Sequence, residues 1–145
     1  MLPQTRAPWH HYPMSIVTIL FYAVGAIDYL LTELRFGFWM DNFSTRQATY
    51  FAELPGWLTA IWAVAVWGGL LGAYLMWKRN RLAVLLLFLA FAALTFVTVW
   101  LTVVHRPTMF GITGFMGVYI LAGTCALSFL IYTYARWERT EYFLN

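Results

Sequence analysis

Charged residues make up only 10% of this 145-residue chain, against roughly 25% in soluble domains. Apolar residues reach 62%, and the mean hydropathy is +0.68. So little charge excludes a disordered segment, a nucleic-acid-binding arm and a conventional soluble enzyme. The net charge of +3 is small and spread along the chain, so no nucleic-acid partner is expected. Cysteine is as scarce, since Cys125 stands alone. That excludes an intramolecular disulfide and the paired-cysteine, quinone-linked chemistry of some small four-helix membrane proteins. Of the three histidines, His10 and His11 are expected in an N-terminal arm and His105 at a helix end. A haem or zinc site built by histidines facing one another at mid-membrane is thereby excluded. The chain also lacks a histidine beside a serine or cysteine nucleophile, carboxylates paired in an aqueous cleft and a glycine-rich phosphate loop after a strand. It has no metal set of two carboxylates and a histidine. No cofactor is expected, and the inventory points away from an enzyme.

What is present is long apolar sequence. Gly56–Trp77, Leu82–His105 and Gly111–Ala135 contain no charged residue, and each is long enough at about 1.5 Å per residue to cross a hydrocarbon layer of roughly 30 Å. A further window, Met14–Leu34, is interrupted by Asp28 and Glu33 and preceded by Arg6, which gives it the look of a secretory signal. Its apolar stretch continues past the small residues Ala23–Gly25 into Tyr29, Leu30 and Leu31, so it reads as a retained span. The expected fold is therefore all-α: one transmembrane domain over residues 1–145, a four-transmembrane-helix bundle with spans of about 14–34, 56–77, 82–104 and 112–134.

Orientation follows from the placement of the basic residues. Arg6, Lys78, Arg79, Arg81, Arg136 and Arg139 fall on one side of the expected spans, and Arg35, Arg46 and Arg106 on the other. The excess of basic residues marks the cytoplasmic side, so both termini are expected in the cytoplasm. Trp9, Tyr12, Trp39, Trp57, Trp77, Trp137 and Tyr142 fall near span ends, where amphipathic rings prefer the headgroup level.

The connection from Arg35 to Pro55 is too apolar for a free loop. Ser44 followed by Gln47 reads as a capping box, and Tyr50, Phe51 and Leu54 share a face before Pro55. A short amphipathic helix over about residues 44–54, lying in the outer interface and lidding the bundle, is expected. The tail from Trp137 is expected to be a frayed helix end at the interface.

Two kinds of helix face stand out. In the second span, Ala65, Gly69 and Ala73 form one row of small residues and Gly68 and Gly72 another, which suits close helix approach. Packing within the chain is the first reading of these rows, with a seam between copies as the alternative. Polar residues run along the first span at Ser15, Thr18, Tyr22, Gly25, Asp28 or Tyr29, and Thr32. Thr95, Thr98 and Thr102 align on the third span, and Thr124, Ser128 and Tyr132 on the fourth. Hydroxyls in such positions usually bond a carbonyl of their own helix one turn back, and a hydrated ligand pathway is the lesser reading.

Asp28 is expected to be the only charged residue well inside a span. Placing a carboxylate there costs about 2.5–3.5 kcal/mol on insertion scales, so it should face protein or water. The candidate intramembrane polar site comprises Asp28, Tyr29, Tyr22, Thr32 and Glu33. A structural Asp28 bonded to Tyr22, Thr32 or a facing tryptophan is weighed ahead of a proton-coupling one. Glu33 and Arg35 at the outer boundary would form an exposed pair of small value.

Several runs together resemble a known family. They are Gly25-Ala26-Ile27-Asp28-Tyr29, Tyr50-Phe51, Leu54-Pro55-Gly56-Trp57 and Trp62-Ala63-Val64-Ala65-Val66-Trp67-Gly68-Gly69, then Gly72, Arg79 and Arg81-Leu82-Ala83-Val84. The stretch over roughly residues 20–85 is similar to small proteobacterial inner-membrane proteins often labelled sugar transporters. The resemblance implies four helices and a bacterial inner membrane more than it implies transport. Three functions remain open at this point. The first is a non-enzymatic accessory or packing subunit, with the lipid bilayer, other membrane subunits or further copies of itself as partners. The alternative is a small-solute or proton-coupled transporter acting as an oligomer through Asp28. The third is pigment or quinone contact, with His105 as the one histidine near a span end able to ligate a metallated ring.

Overall fold

The computed structural model describes residues 6–141 and Leu144. It is helical, with no strand among the described residues: α1 (His11–Glu33), α2 (Gly37–Met40), α3 (Thr45–Ala52), α4 (Gly56–Trp77), α5 (Leu82–Val99) and α6 (Met109–Thr140). A π-helical turn, Trp100–Val104, carries α5 onward to His105. By length and composition, α1, α4, α6 and the continuous stretch Leu82–Val104 can each cross a membrane. Their outward faces carry large apolar side chains, among them Leu20, Val24, Leu85, Tyr119 and Leu130. Four such helices with apolar exteriors make this a multi-pass membrane protein.

Local chemistry sets the helix ends. The Ser44 hydroxyl accepts from the Gln47 amide at 3.2 Å, and the Gln47 side chain accepts from the Ser44 amide at 3.1 Å, a complete capping box opening α3. Pro55, at φ −59°, precedes α4, and the Thr108 hydroxyl caps α6 by accepting from the Gly111 amide. α1 and α4 end alike. Arg35 and Arg79 take left-handed backbone, and the next residue's amide reaches back to the carbonyl five residues earlier, Phe36 to Leu31 at 3.2 Å and Asn80 to Leu75 at 2.8 Å. α6 is broken near its start by Gly114, at φ 67° and ψ −155°, a region open essentially to glycine alone.

Neighbours in the chain are neighbours in space: α4 packs most extensively on α5, α1 lies against α4, and α5 lies against α6. The small residues of α4 make this possible. Ala65, Gly69 and Ala73 are buried. A β-carbon on Gly69 would stand 2.1 Å from the Tyr22 ring, and one on Gly72 would stand 3.1 Å from Leu86 and Leu87. Gly68 differs, because a β-carbon there would meet open space. Two apolar cores result. One lies under the first half of α1 and includes Met76, Leu87, Ile131 and Leu144; the other holds Tyr50, Leu58, Val97, Leu101 and Met109. Tyr50 belongs to this second core, so α3 is docked onto the long helices.

Three expectations are corrected. α1 begins at His11, three residues ahead of the expected Met14, so His11 belongs to the helix and not to an arm. α6 runs from Met109 to Thr140, beyond the expected 112–134 at both ends. The segment from Trp137 is thus helix with a fully buried Glu138 and not a frayed end. Tyr142, expected near a span end, lies outside the described residues.

Candidate functional site

α1 and α6 face each other through polar side chains. On α1, His11, Ser15, Thr18 and Tyr22 follow at helical spacing and are all buried. On α6 the facing row is Ser128, Ile131, Ala135 and Glu138. His11 Nδ1 and Glu138 Oε1 share a hydrogen bond of 2.8 Å, with both side chains fully buried. One turn in, the Ser15 hydroxyl donates to the His11 carbonyl at 2.8 Å. Beside the pair, His10 Nδ1 and the Tyr134 hydroxyl lie 2.5 Å apart, with Tyr134 one turn before Glu138 on the same helix. Farther along the seam, the Tyr22 and Ser128 hydroxyls are hydrogen-bonded at 2.8 Å. His11 Nε2 and Glu138 Oε2 are buried without a hydrogen-bond partner among the described residues. The cluster therefore combines a sealed acid–base pair with two unused polar atoms, within reach of a second histidine and a tyrosine.

Sequence reasoning missed this cluster, although the signal was present. The row through Ser15, Thr18 and Tyr22 extends back by one turn to His11, and the row through Ser128 extends forward to Glu138. The apolar windows stop short of both residues.

The five residues expected to form an intramembrane polar site do not converge. Tyr22 is buried and turned to Ser128. Thr32 is buried and accepts from the Trp39 indole at 3.3 Å. Tyr29 packs edge-on against Trp62, with ring centres 5.0 Å apart. Glu33 is exposed and, with Thr32, Arg35 and Thr59, lines an open cavity of about 560 Å³ between the end of α1, α3 and the start of α4. Asp28 is half-buried and has no hydrogen-bond partner among the described residues. Both partners proposed for it by name, Tyr22 and Thr32, are committed elsewhere. No ion pair joins Glu33 to Arg35 within 4.0 Å.

Most other hydroxyls serve their own helices. Thr18, Thr102 and Thr124 each donate to the carbonyl four residues back, and Thr98 contacts the Cys125 sulfur at 3.1 Å. His105 lies past the end of the third span, its Nδ1 3.2 Å from the Pro107 carbonyl and its ring edge-on to Tyr50. Among the described residues no group of three or more His, Cys, Asp or Glu could hold a metal ion. No family model, curated protein or solved structure matches this chain.

Proposed function

We propose that the protein is a non-enzymatic, multi-pass protein of the bacterial inner membrane that works as an accessory or packing subunit, bound to other membrane subunits or to copies of itself. In this reading the four long helices form a bundle with both termini in the cytoplasm, and α3 lies in the outer interface. The distribution of basic residues supports that orientation, and the resemblance of residues 20–85 to small proteobacterial inner-membrane proteins supports the location.

The observation that carries the reading is Asp28. A carboxylate about 7 Å from the end of its helix has no hydrogen-bond partner among the described residues, and inside a membrane such a group is expected to meet protein or water. In this reading a neighbouring subunit supplies that partner. Gly68 supports the same reading, since it faces open space between the exposed side chains of Val64, Trp67 and Leu71 and leaves room for a close-packed helix. The test is gentle purification from native membranes of the wild type and Asp28→Asn, with size and composition measured. Wild type should migrate with a partner or as a homo-oligomer, and the variant should lose that association while remaining folded. A lone wild-type monomer would reject the proposal.

Asp28 also favours a second reading, a small-solute or proton-coupled transporter with its pathway between protomers. Thr32, one turn beyond Asp28, lines the 560 Å³ cavity that opens at this end of the molecule. In proteoliposomes this reading requires Asp28→Asn to abolish solute or proton flux with the oligomer intact; unchanged flux removes it.

A further inference from the structure

We propose that the cavity between α3 and the segment ahead of α6 binds a phosphate-bearing anion. The cavity measures about 710 Å³, and Arg46, Arg106, His105, Tyr50, Thr49 and Glu53 stand around it. Arg35, Arg46 and Arg106 are the basic residues at this end of the molecule. Two of the three line this one cavity and the third lines its neighbour on the other side of α3. Neither arginine has an ion-pair partner within 4.0 Å among the described residues, although Glu53 is on the same wall. Two guanidinium groups against one carboxylate select an anion, and their planar sets of N–H donors match phosphate oxygens two at a time.

The rest of the lining fits the same ligand. His105 donates from Nδ1 to the Pro107 carbonyl at 3.2 Å, which sets its ring in the wall of the cavity. Inorganic phosphate alone would leave most of the volume empty, and the rings of Tyr50 and His105 with Pro107 and Ile112 offer an apolar wall to an organic group. The shared chemistry is a phosphate ester, supplied either by a phospholipid headgroup or by a water-soluble organophosphate.

The test uses the full chain in nanodiscs. One arm measures retention of phosphatidylglycerol by native mass spectrometry from mixed phosphatidylglycerol and phosphatidylcholine discs. The other titrates glycerol 3-phosphate into phosphatidylcholine discs by calorimetry. Binding in the first arm identifies a lipid headgroup, binding in the second a soluble ester, and either supports the site. Arg46→Gln and Arg106→Gln should each weaken that binding about tenfold, with helix content unchanged by circular dichroism. Arg106→Lys, which keeps the charge but not the fork, should also weaken it. Absence of binding in both arms, or equal binding by wild type and the double glutamine variant, overturns the proposal. So does full binding by Arg106→Lys, which would reduce the attraction to diffuse charge.

Discussion

Glu138, two residues before the end of α6, lies 2.8 Å from His11 at the first position of α1, and neither side chain reaches the surface. The contact joins the first long helix to the last, across the one side of the molecule where chain neighbours do not supply the packing. Its energetics are those of a buried pair. Removing both groups from water is costly, so an apolar replacement of similar volume can match it, whereas removing one partner strands the other.

Glu138→Ala and His11→Ala should therefore each destabilise the protein by about 3–5 kcal/mol. The double variant His11→Leu/Glu138→Leu should recover most of that loss. Reversible unfolding in mixed detergent micelles gives the stability of wild type and of each of the three variants. Single-variant losses below about 1 kcal/mol, the range of exposed ion pairs, would contradict the burial described above.

Tyr22→Phe removes the hydroxyl that meets Ser128 at 2.8 Å and leaves the ring over Gly69. Hydrogen bonds between membrane helices average about 0.6 kcal/mol and reach roughly 1.7. The coupling between Tyr22→Phe and Ser128→Ala should fall in that range, and zero coupling would mean that the two hydroxyls do not bond.

Gly69→Ala and Gly68→Ala separate internal from external packing. A methyl group at 69 would lie 2.1 Å from the Tyr22 ring, an overpacking expected to cost about 1–3 kcal/mol. The same change at 68 meets nothing within 4 Å, so monomer stability should hold while association weakens. Size-exclusion chromatography with light scattering, alongside unfolding, distinguishes the two effects. Equal destabilisation by both substitutions would refute the assignment of faces.

Burial of Tyr50 pushes its phenol above the ordinary value of 10.0, because the low-dielectric core penalises the charged form. The unfolded chain ionises this residue first as pH rises. The contribution is therefore fully present below about pH 10 and is lost as pH climbs through the raised value. Wild type should lose stability above pH 10 more steeply than Tyr50→Phe. Parallel curves for the two proteins would count against a buried phenol.

Apolar windows and capping chemistry were readable from sequence wherever one local rule decides the outcome. Ser44 with Gln47 marks the start of α3 without reference to the rest of the fold, and Lys78 to Arg81 separates two apolar runs by charge alone. The site residues were not readable in this way, because each depends on a partner more than a hundred positions distant. His11 and Glu138 look like flanking polar residues until the two helices lie side by side, at which point each satisfies the other. Tyr22 shows the same limit. Its place on the polar row of α1 was visible, yet nothing local distinguishes Asp28 or Thr32 from Ser128 as its partner. Gly68 and Gly69 are adjacent in sequence, and only the position of the Tyr22 ring tells which of them is filled.

The separation of 127 positions between His11 and Glu138 also bears on how the protein is made. A ribosome delivers the opening helix to the insertion machinery long before the final one has been translated, so His11 enters the bilayer region without its acid. The early helix must wait in a provisional state, hydrated at its end or shielded by a chaperone, until the last segment arrives. Nascent chains truncated before α6 should accordingly be recognised by membrane quality-control proteases.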